Sequence, residues 1–281
     1  MAKIAVVTDS VATIPDELVK KYNIYVAPVH IIWDKVDYRD GVDLQTSEFY
    51  ARLRKSKTLP TTSSAIQGEF IQIFEGLRGK VDGIVTLALT GALGAAYDSA
   101  LNAKELVPDI PIEVIDTRTA FMAQGFGVIA AAKAALAGGS IADVIKAAQK
   151  VIPRTHVFWA MDTLEYLRKG GRVSLPQAML ASWLQVKPIT GLKEGKVEPL
   201  ARVRTRAKVI DKLLELMDER VSGDSPLHVS VLHGDAAEEA GQLEQKVNAR
   251  YKPVELVRSE ISPVIGTHTG PGTLGLAFYN E

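Results

Sequence analysis

The chain reads as an α/β protein of two domains: a parallel-sheet N-terminal domain over residues 1–153 and a mixed α+β C-terminal domain over residues 154–281. Three observations predict this. Strand-like runs alternate with helical periodicity through the first half, and those runs are continuously apolar, as strands buried on both faces are. The texture changes near Pro153, beyond which an alternating, half-polar strand pattern begins. Finally, 281 residues exceed a typical single core.

Taken in order, Ile4–Val7 is a β-branched strand ending at Thr8-Asp9-Ser10. Pro15, Asp16 and Glu17 suit a first helical turn, the proline by its fixed φ and the acids by complementing the helix dipole. Ile24–Trp33 reads as a second strand, and Ser47–Lys55 as a helix capped by Thr46 or Ser47. Ile66–Leu77 has helical periodicity. Gly83–Leu89 and Pro111–Ile115 are further buried strands, the latter stopping at Asp116-Thr-Arg-Thr119. The alanine-rich stretches Phe121–Ala137 and Ser140–Val151 are two helices parted by Gly138-Gly139. The second half opens with a strand at His156, a helix over Thr163–Lys169, and a further helix after Gly170-Gly171. An antiparallel strand over Val197–Val203 and a helix over Arg206–Arg220 follow. Strands at Leu227–His233 and Val254–Ile261 flank a helix over Ala236–Tyr251.

Composition narrows the function. The chain carries 33 basic and 33 acidic residues, for zero net charge, which does not suit a nucleic-acid-tracking protein. It has no cysteine, which excludes disulfides, thiolate nucleophiles and cysteine-held zinc. No apolar segment reaches the ~18 residues of a membrane span, and the first residues lack a signal-peptide pattern. The expectation is a cytoplasmic protein with no stable membrane insertion.

Three polar, backbone-permissive stretches carry the functional argument: Leu59-Pro-Thr-Thr-Ser-Ser64, Leu89-Thr-Gly-Ala-Leu-Gly94 and Ser262-Pro-Val-Ile-Gly-Thr-His268-Thr-Gly-Pro-Gly272. As loops they can approach a ligand closely and direct N–H, O–H and imidazole groups at it. Thr61 to Ser64 offer more hydroxyls than capping the next helix needs, so they either cap it or bind an anion. The glycines after Thr90 lack the lysine of a Walker loop and the spacing of a dinucleotide fingerprint, so a plain tight turn is equally open. Thr8-Asp9-Ser10 lies where ligands approach a parallel sheet, though Asp9 or Ser10 capping a turn is the plainer reading. Of five histidines, none forms a metal-binding pair, and no metal site is expected. His268 stands out because its immediate neighbours are glycine and threonine. The basic clusters Arg168-Lys-Gly-Gly-Arg172 and Arg202-Val-Arg204-Thr-Arg206 are either solvated ends of elements or receivers of an anionic group or acidic partner.

In order and spacing, several pieces resemble the DegV family over essentially the whole chain. They are Thr8-Asp-Ser10, Pro60-Thr-Thr-Ser63, Leu89-Thr-Gly91 with Tyr97, Val114-Ile-Asp116 with Gly125 and Gly127, Leu164 to Arg172, Lys187-Pro188, Val203-Arg-Thr205, and Gly266 to Gly272. These are acyl-binding proteins that serve as the fatty-acid-carrying subunit of bacterial fatty acid kinase. The resemblance implies a two-domain DegV-like fold with a long-chain fatty acid in a buried tunnel and no other cofactor. It places Thr62, Ser63, Thr90 and Gly91 on the carboxylate with His268 close by, and turns Arg172 and Arg204 toward the phosphorylation chemistry or the partner. The chain departs from the family pattern at Thr90-Gly91-Ala92 and at Ser63-Ser64-Ala65, which bears on pocket shape.

The implied role is a non-catalytic lipid carrier for phospholipid metabolism, offering a carboxylate to a separate kinase catalytic subunit that makes acyl phosphate. A chain of about sixteen carbons gains roughly 0.8 kcal/mol per buried methylene, so walls supply affinity and uncharged hydroxyls supply orientation. No Walker motif or kinase signature occurs in the chain. The alternative is an acyl transferase or esterase in which His268 acts as base toward Ser63 or Thr90, although no Gly-x-Ser-x-Gly elbow is present. A ligand-sensing scaffold is the third reading.

Overall fold

The computed structural model describes residues 2–63, 66–172, 186–223 and 225–281. Its first half holds β1 (Ile4–Asp9), α1 (Asp16–Lys21), β2 (Ile24–Ala27), β3 (His30–Trp33), β4 (Val36–Arg39), α2 (Thr46–Leu53), β5 (Thr61–Ser63) and α3 (Gln67–Leu77). β6 (Gly83–Ala88), α4 (Ala96–Leu106), β7 (Ile112–Asp116), α5 (Phe121–Leu136) and α6 (Ile141–Val151) complete it. The second half runs β8 (His156–Ala160), α7 (Glu165–Lys169), β9 (Lys187–Lys193), β10 (Lys196–Val203) and α8 (Val209–Asp218). It ends with β11 (Leu227–Gly234), α9 (Ala237–Tyr251), β12 (Glu255–Glu260), α10 (Pro263–Thr269) and β13 (Thr273–Asn280).

Three sheets result. A four-stranded sheet in the order β2-β1-β6-β7 is parallel throughout. A six-stranded sheet in the order β10-β9-β8-β13-β11-β12 is antiparallel except between β11 and β12. A small antiparallel sheet, β4-β3-β5, carries Thr61–Ser63. The fold class is thus α/β, a parallel sheet beside a mixed one. The first and third of these sheets use only residues before 117, and the six-stranded sheet only residues from 156 onward.

α5 is the layer between the two large sheets. It packs on β1 and β6 on one side and on β8, β11 and β13 on the other. Phe121, Met122, Phe126, Val128 and Ile129 are all buried, as expected of a helix that is apolar all round. One hydrophobic cluster therefore runs through both halves, joining Val7, Leu87 and Phe126 to Trp159, Leu167, Val264 and Ala277. A second cluster lies beyond the mixed sheet, under α8 and α9, around Phe158, Leu213, Val229 and Leu276.

Several elements differ from the sequence reading. The expected strand Ile24–Trp33 is two strands in two sheets, because Pro28 cannot donate to a ladder and the chain turns there. β4, β5, α4, β9 and β13 were not foreseen. β13 lies in the middle of the mixed sheet, between β8 and β11. The glycine-rich stretch after Ile261 is not a loop in its first part but the helix α10. α2 starts at Thr46 after Gln45, with no side-chain cap from Thr46 or Ser47. The helix expected after Gly170-Gly171 falls outside the described residues, as do Ser64 and Ala65. Thr8-Asp9-Ser10 takes its plainer reading: Asp9 accepts from Val11 N at 3.0 Å, Leu89 N at 2.7 Å and Gln124 Nε2 at 3.3 Å. Burial raises its carboxyl to about 6, and the carboxylate ties β1 to the loop after β6 and to α5.

Candidate functional site

α10 explains how a polar-looking segment becomes interior. Pro263 at its first turn supplies the helical φ without an orphaned N–H. Val264 N is met by Asp40 Oδ1 at 3.3 Å, a partner 224 positions away in sequence, and burial raises the Asp40 carboxyl to about 6. Inside the helix Thr267 Oγ1 donates to Pro263 O (3.0 Å) and Thr269 Oγ1 to Ile265 O (3.3 Å), so both buried hydroxyls are satisfied. Gly266 lies flat against Phe49 and Tyr50, where a Cβ would not fit. The helix is held by α2, α7, β3 and β5, and only His268 is left partly open.

The small antiparallel sheet brings Thr62 to this helix. Thr62 pairs with Ile31 and Ser63 with His30 in the β3–β5 ladder. That register sets Thr62 Oγ1 3.0 Å from His268 Nε2. Arg172, just after α7, closes the cluster. Its Nη2 donates to Thr62 Oγ1 at 3.4 Å, its Nη1 to Gly170 O at 2.6 Å and its Nε to Leu93 O at 3.2 Å. Burial first, and the Arg172 charge second, push the His268 imidazole down to about 3, so it is neutral at physiological pH. The guanidinium stays charged, because burial lowers a pKa that begins far above neutrality.

These four side chains, Thr62, Ser63, Arg172 and His268, together with Thr269 are the polar part of the lining of a cavity of about 240 Å³. The remaining walls are chiefly apolar and come from both halves of the chain: Val29, Ile66, Leu89, Leu93, Phe121, Trp159, Leu167, Val197 and Ile265 among them. Phe121 and Trp159 pack with ring centroids 4.9 Å apart and planes tilted by 42°. Phe121 also sits at φ 57°, a conformation bulky residues avoid, so its place on the wall is held against backbone strain.

The structure therefore brings Thr62, Ser63, His268 and Arg172 together and leaves three other candidates apart. Thr90 is buried but is not among the lining residues; its Oγ1 accepts from Ala92 N at 3.3 Å. Gly195, at φ 78° in the β9–β10 turn, packs directly on that hydroxyl, and any larger residue there would collide with it. Gly91 lies beside Tyr97 and Asp116, also off the cavity. Arg204 is exposed in the bend after β10. Arg172, which the resemblance turns toward the phosphorylation chemistry or the partner, puts its cation beside Thr62 on the cavity wall. Trp159 and Phe121 were missed, since nothing in a strand or helix pattern tells a cavity wall from a packed core. Among the described residues no group of His, Cys, Asp or Glu is arranged to hold a metal ion, and no helix is long and apolar enough to cross a membrane.

The fold and site define a three-sheet α/β protein with an interior pocket whose lining is chiefly apolar and carries one hydrogen-bonded polar cluster. The profile of the family described as "Uncharacterised protein, DegV family" matches residues 3–281. Protein DegV of Bacillus subtilis is 34% identical over 276 residues, covering 98% of each chain. The solved structure of a DegV family protein from Thermus thermophilus, described by its fatty acid binding, superposes with a TM-score of 0.92 at 29% identity over 100% of both chains. That of DegV from Bacillus subtilis, described as a fatty acid binding protein, does so at 0.91 and 33%, again over 100% of both. The chain belongs to the DegV family.

Proposed function

We propose that this protein binds a long-chain fatty acid, with the acyl chain in the cavity and the carboxylate at Thr62 and Ser63, beside His268 and Arg172. The observation that carries the reading is a chiefly apolar cavity lining joined to the hydrogen-bonded cluster of Thr62, His268 and Arg172. A ligand satisfying both must be apolar along its length and anionic or strongly polar at one terminus. About sixteen carbons buried there gain roughly 12 kcal/mol gross, part of which is lost in ordering the chain. The relatives described as fatty acid binding proteins support the same ligand class.

Presentation to a separate ATP-dependent kinase, giving an acyl phosphate, is the further part of the proposal. Arg172 at the carboxylate end and Arg204 on the exposed bend are its candidates for meeting phosphate or a partner. The test is mass spectrometry of freshly purified, denatured protein, followed by binding of palmitate and oleate. No co-purified fatty acid, together with no binding of either, would sink the reading.

Ester hydrolysis is less well supported. The contact between Thr62 and His268 has the length of a nucleophile–base pair, and it falls on Thr62 rather than on Ser63 or Thr90. Yet His268 Nδ1 meets no orienting carboxylate among the described residues, and an imidazole held near 3 is a poor base at neutral pH.

A further inference from the structure

What surrounds each ring nitrogen of His268 decides where its proton sits. Nε2 lies 3.0 Å from Thr62 Oγ1. Nδ1 is buried with no hydrogen-bond partner among the described residues and abuts Gly170, where a Cβ would collide with it. The polar groups of Gly170 are already committed, its N–H to Tyr166 O at 2.9 Å and its carbonyl to Arg172 Nη1 at 2.6 Å. Its backbone, at φ −75° and ψ −8°, is one that any residue adopts. Glycine is therefore needed there to make room for the ring and not for its own conformation.

A proton on Nδ1 would be a buried N–H donor with no acceptor in hydrogen-bond geometry among the described residues, the rarest kind of unsatisfied group. Nε2 would then have to take the Thr62 hydroxyl proton, leaving the ligand only the arginine. With the proton on Nε2 the unpaired Nδ1 is a bare lone pair rather than an orphaned donor, and both lone pairs of the Thr62 hydroxyl are matched. Thr62 Oγ1 has two lone pairs and one hydrogen. His268 Nε2 fills one lone pair, and Arg172 Nη2, 3.4 Å away, fills the other. The hydroxyl hydrogen is then left with one direction, outward into the cavity.

We propose that Gly170 is a positioning residue that seats His268 as its neutral Nε2–H tautomer, so that the imidazole donates to Thr62 and turns the threonine proton toward a bound carboxylate. The carboxylate clause rests on the fatty-acid reading; the tautomer does not. A histidine in this state has no lone pair facing Thr62 and cannot remove its proton, which converts a contact shaped like a catalytic pair into a binding device.

The first arm of the test is long-range proton–nitrogen correlation NMR at neutral pH on the full chain labelled with nitrogen-15 at histidine. His268→Gln serves to assign the His268 pair among the five histidines. Nδ1 is expected to resonate as an unprotonated nitrogen and Nε2 as a protonated one; the reverse pattern, or an imidazolium, overturns the proposal. The second arm is palmitate binding. His268→Leu is expected to weaken it about five- to tenfold, the size of one net hydrogen bond. His268→Gln, whose amide can still donate from that place, should lose distinctly less. Gly170→Ala should cost about as much as His268→Leu, and combining the two should add less than about twofold. Fully additive losses would overturn the positioning role. If palmitate binds neither wild type nor variants, the fatty-acid reading fails while the NMR arm still decides the tautomer.

Discussion

Two histidines on different elements, His228 on β11 and His268 on α10, show how differently the same side chain is used. His228, on β11, is held on both nitrogens, by Glu255 at 2.8 Å and Glu281 at 3.0 Å, and stacks on Tyr279 with planes 6° apart. The Glu255 hydrogen bond leads in raising its pKa, which favours the protonated ring. His268 has one partner, a hydroxyl, an arginine for a neighbour, and a pKa pushed down to about 3. A histidine that only joins strands has every donor matched by an acceptor. Around His268 the groups converge on an apolar cavity with hydrogen-bonding capacity unspent, which is the condition for taking a ligand.

The comparison predicts separable losses. Thr62→Val keeps the shape and strand preference of β5 while removing the hydroxyl that the site is built around. Its palmitate affinity should fall roughly tenfold or more, as for a hydrogen bond to a charged acceptor, with little change in the urea midpoint. His228→Leu should do the opposite, costing roughly 1–2 kcal/mol of stability at neutral pH with palmitate affinity intact. Isothermal calorimetry and urea unfolding on both variants check this. Loss of both properties in either variant would erase the distinction.

The next effect is smaller and turns on pH. The folded His268 binds its proton only near pH 3, whereas the unfolded ring does so near its ordinary value of about 6.5. Between those limits the unfolded state holds more protons, so stability falls as the pH drops from about 6.5 toward 3. His228 has a raised folded pKa, so its contribution is complete below about 6.5 and is lost as the pH rises through the folded value. Glu255, lowered chiefly by His228, loses its share only as the pH falls through that lowered value. Urea midpoints measured across pH should therefore flatten on the acid side in His268→Leu and on the alkaline side in His228→Leu. Identical profiles for the two variants would contradict these assignments.

Which parts of this were legible in the sequence follows from range. β1, β6, β7 and α5 announce themselves as long apolar runs whose burial is local in origin. α6 carries its own capping box, Ser140 with Asp143. α10 does not, because threonine, glycine and histidine are poor helix formers and seven residues are too few to nucleate alone. It is a helix because Asp40 meets its first turn and α2, α7, β3 and β5 enclose it. β13 merges with the glycine-rich segment before it and is paired on both sides by strands far away in sequence. The site followed the same division. Thr62 and His268 stand out by residue type, but their contact depends on a ladder between β3 and β5 that no local pattern encodes. The inward turn of Arg172 depends on Leu93 and Gly170 carbonyls in separate loops.

Thr90 gives the smallest effect and the sharpest check on which polar segments make the site. Its sequence context resembles that of Thr62: a hydroxyl in a polar stretch with backbone-permissive neighbours. The difference is where the hydroxyl is engaged, for Thr90 sits under the β9–β10 turn at Gly195 and bonds Ala92 N within its own loop. Thr90→Ala should thus cost about 1 kcal/mol of stability through one lost loop hydrogen bond and some packing. Palmitate affinity should change less than about twofold. A drop comparable to that of Thr62→Val would mean that the β9–β10 turn lifts away when ligand binds and releases Thr90 to the carboxylate. The site would then take in the loop after β6 once that hairpin has lifted, and the contrast between a threonine under the turn and one facing the cavity would belong to one conformation of the protein only.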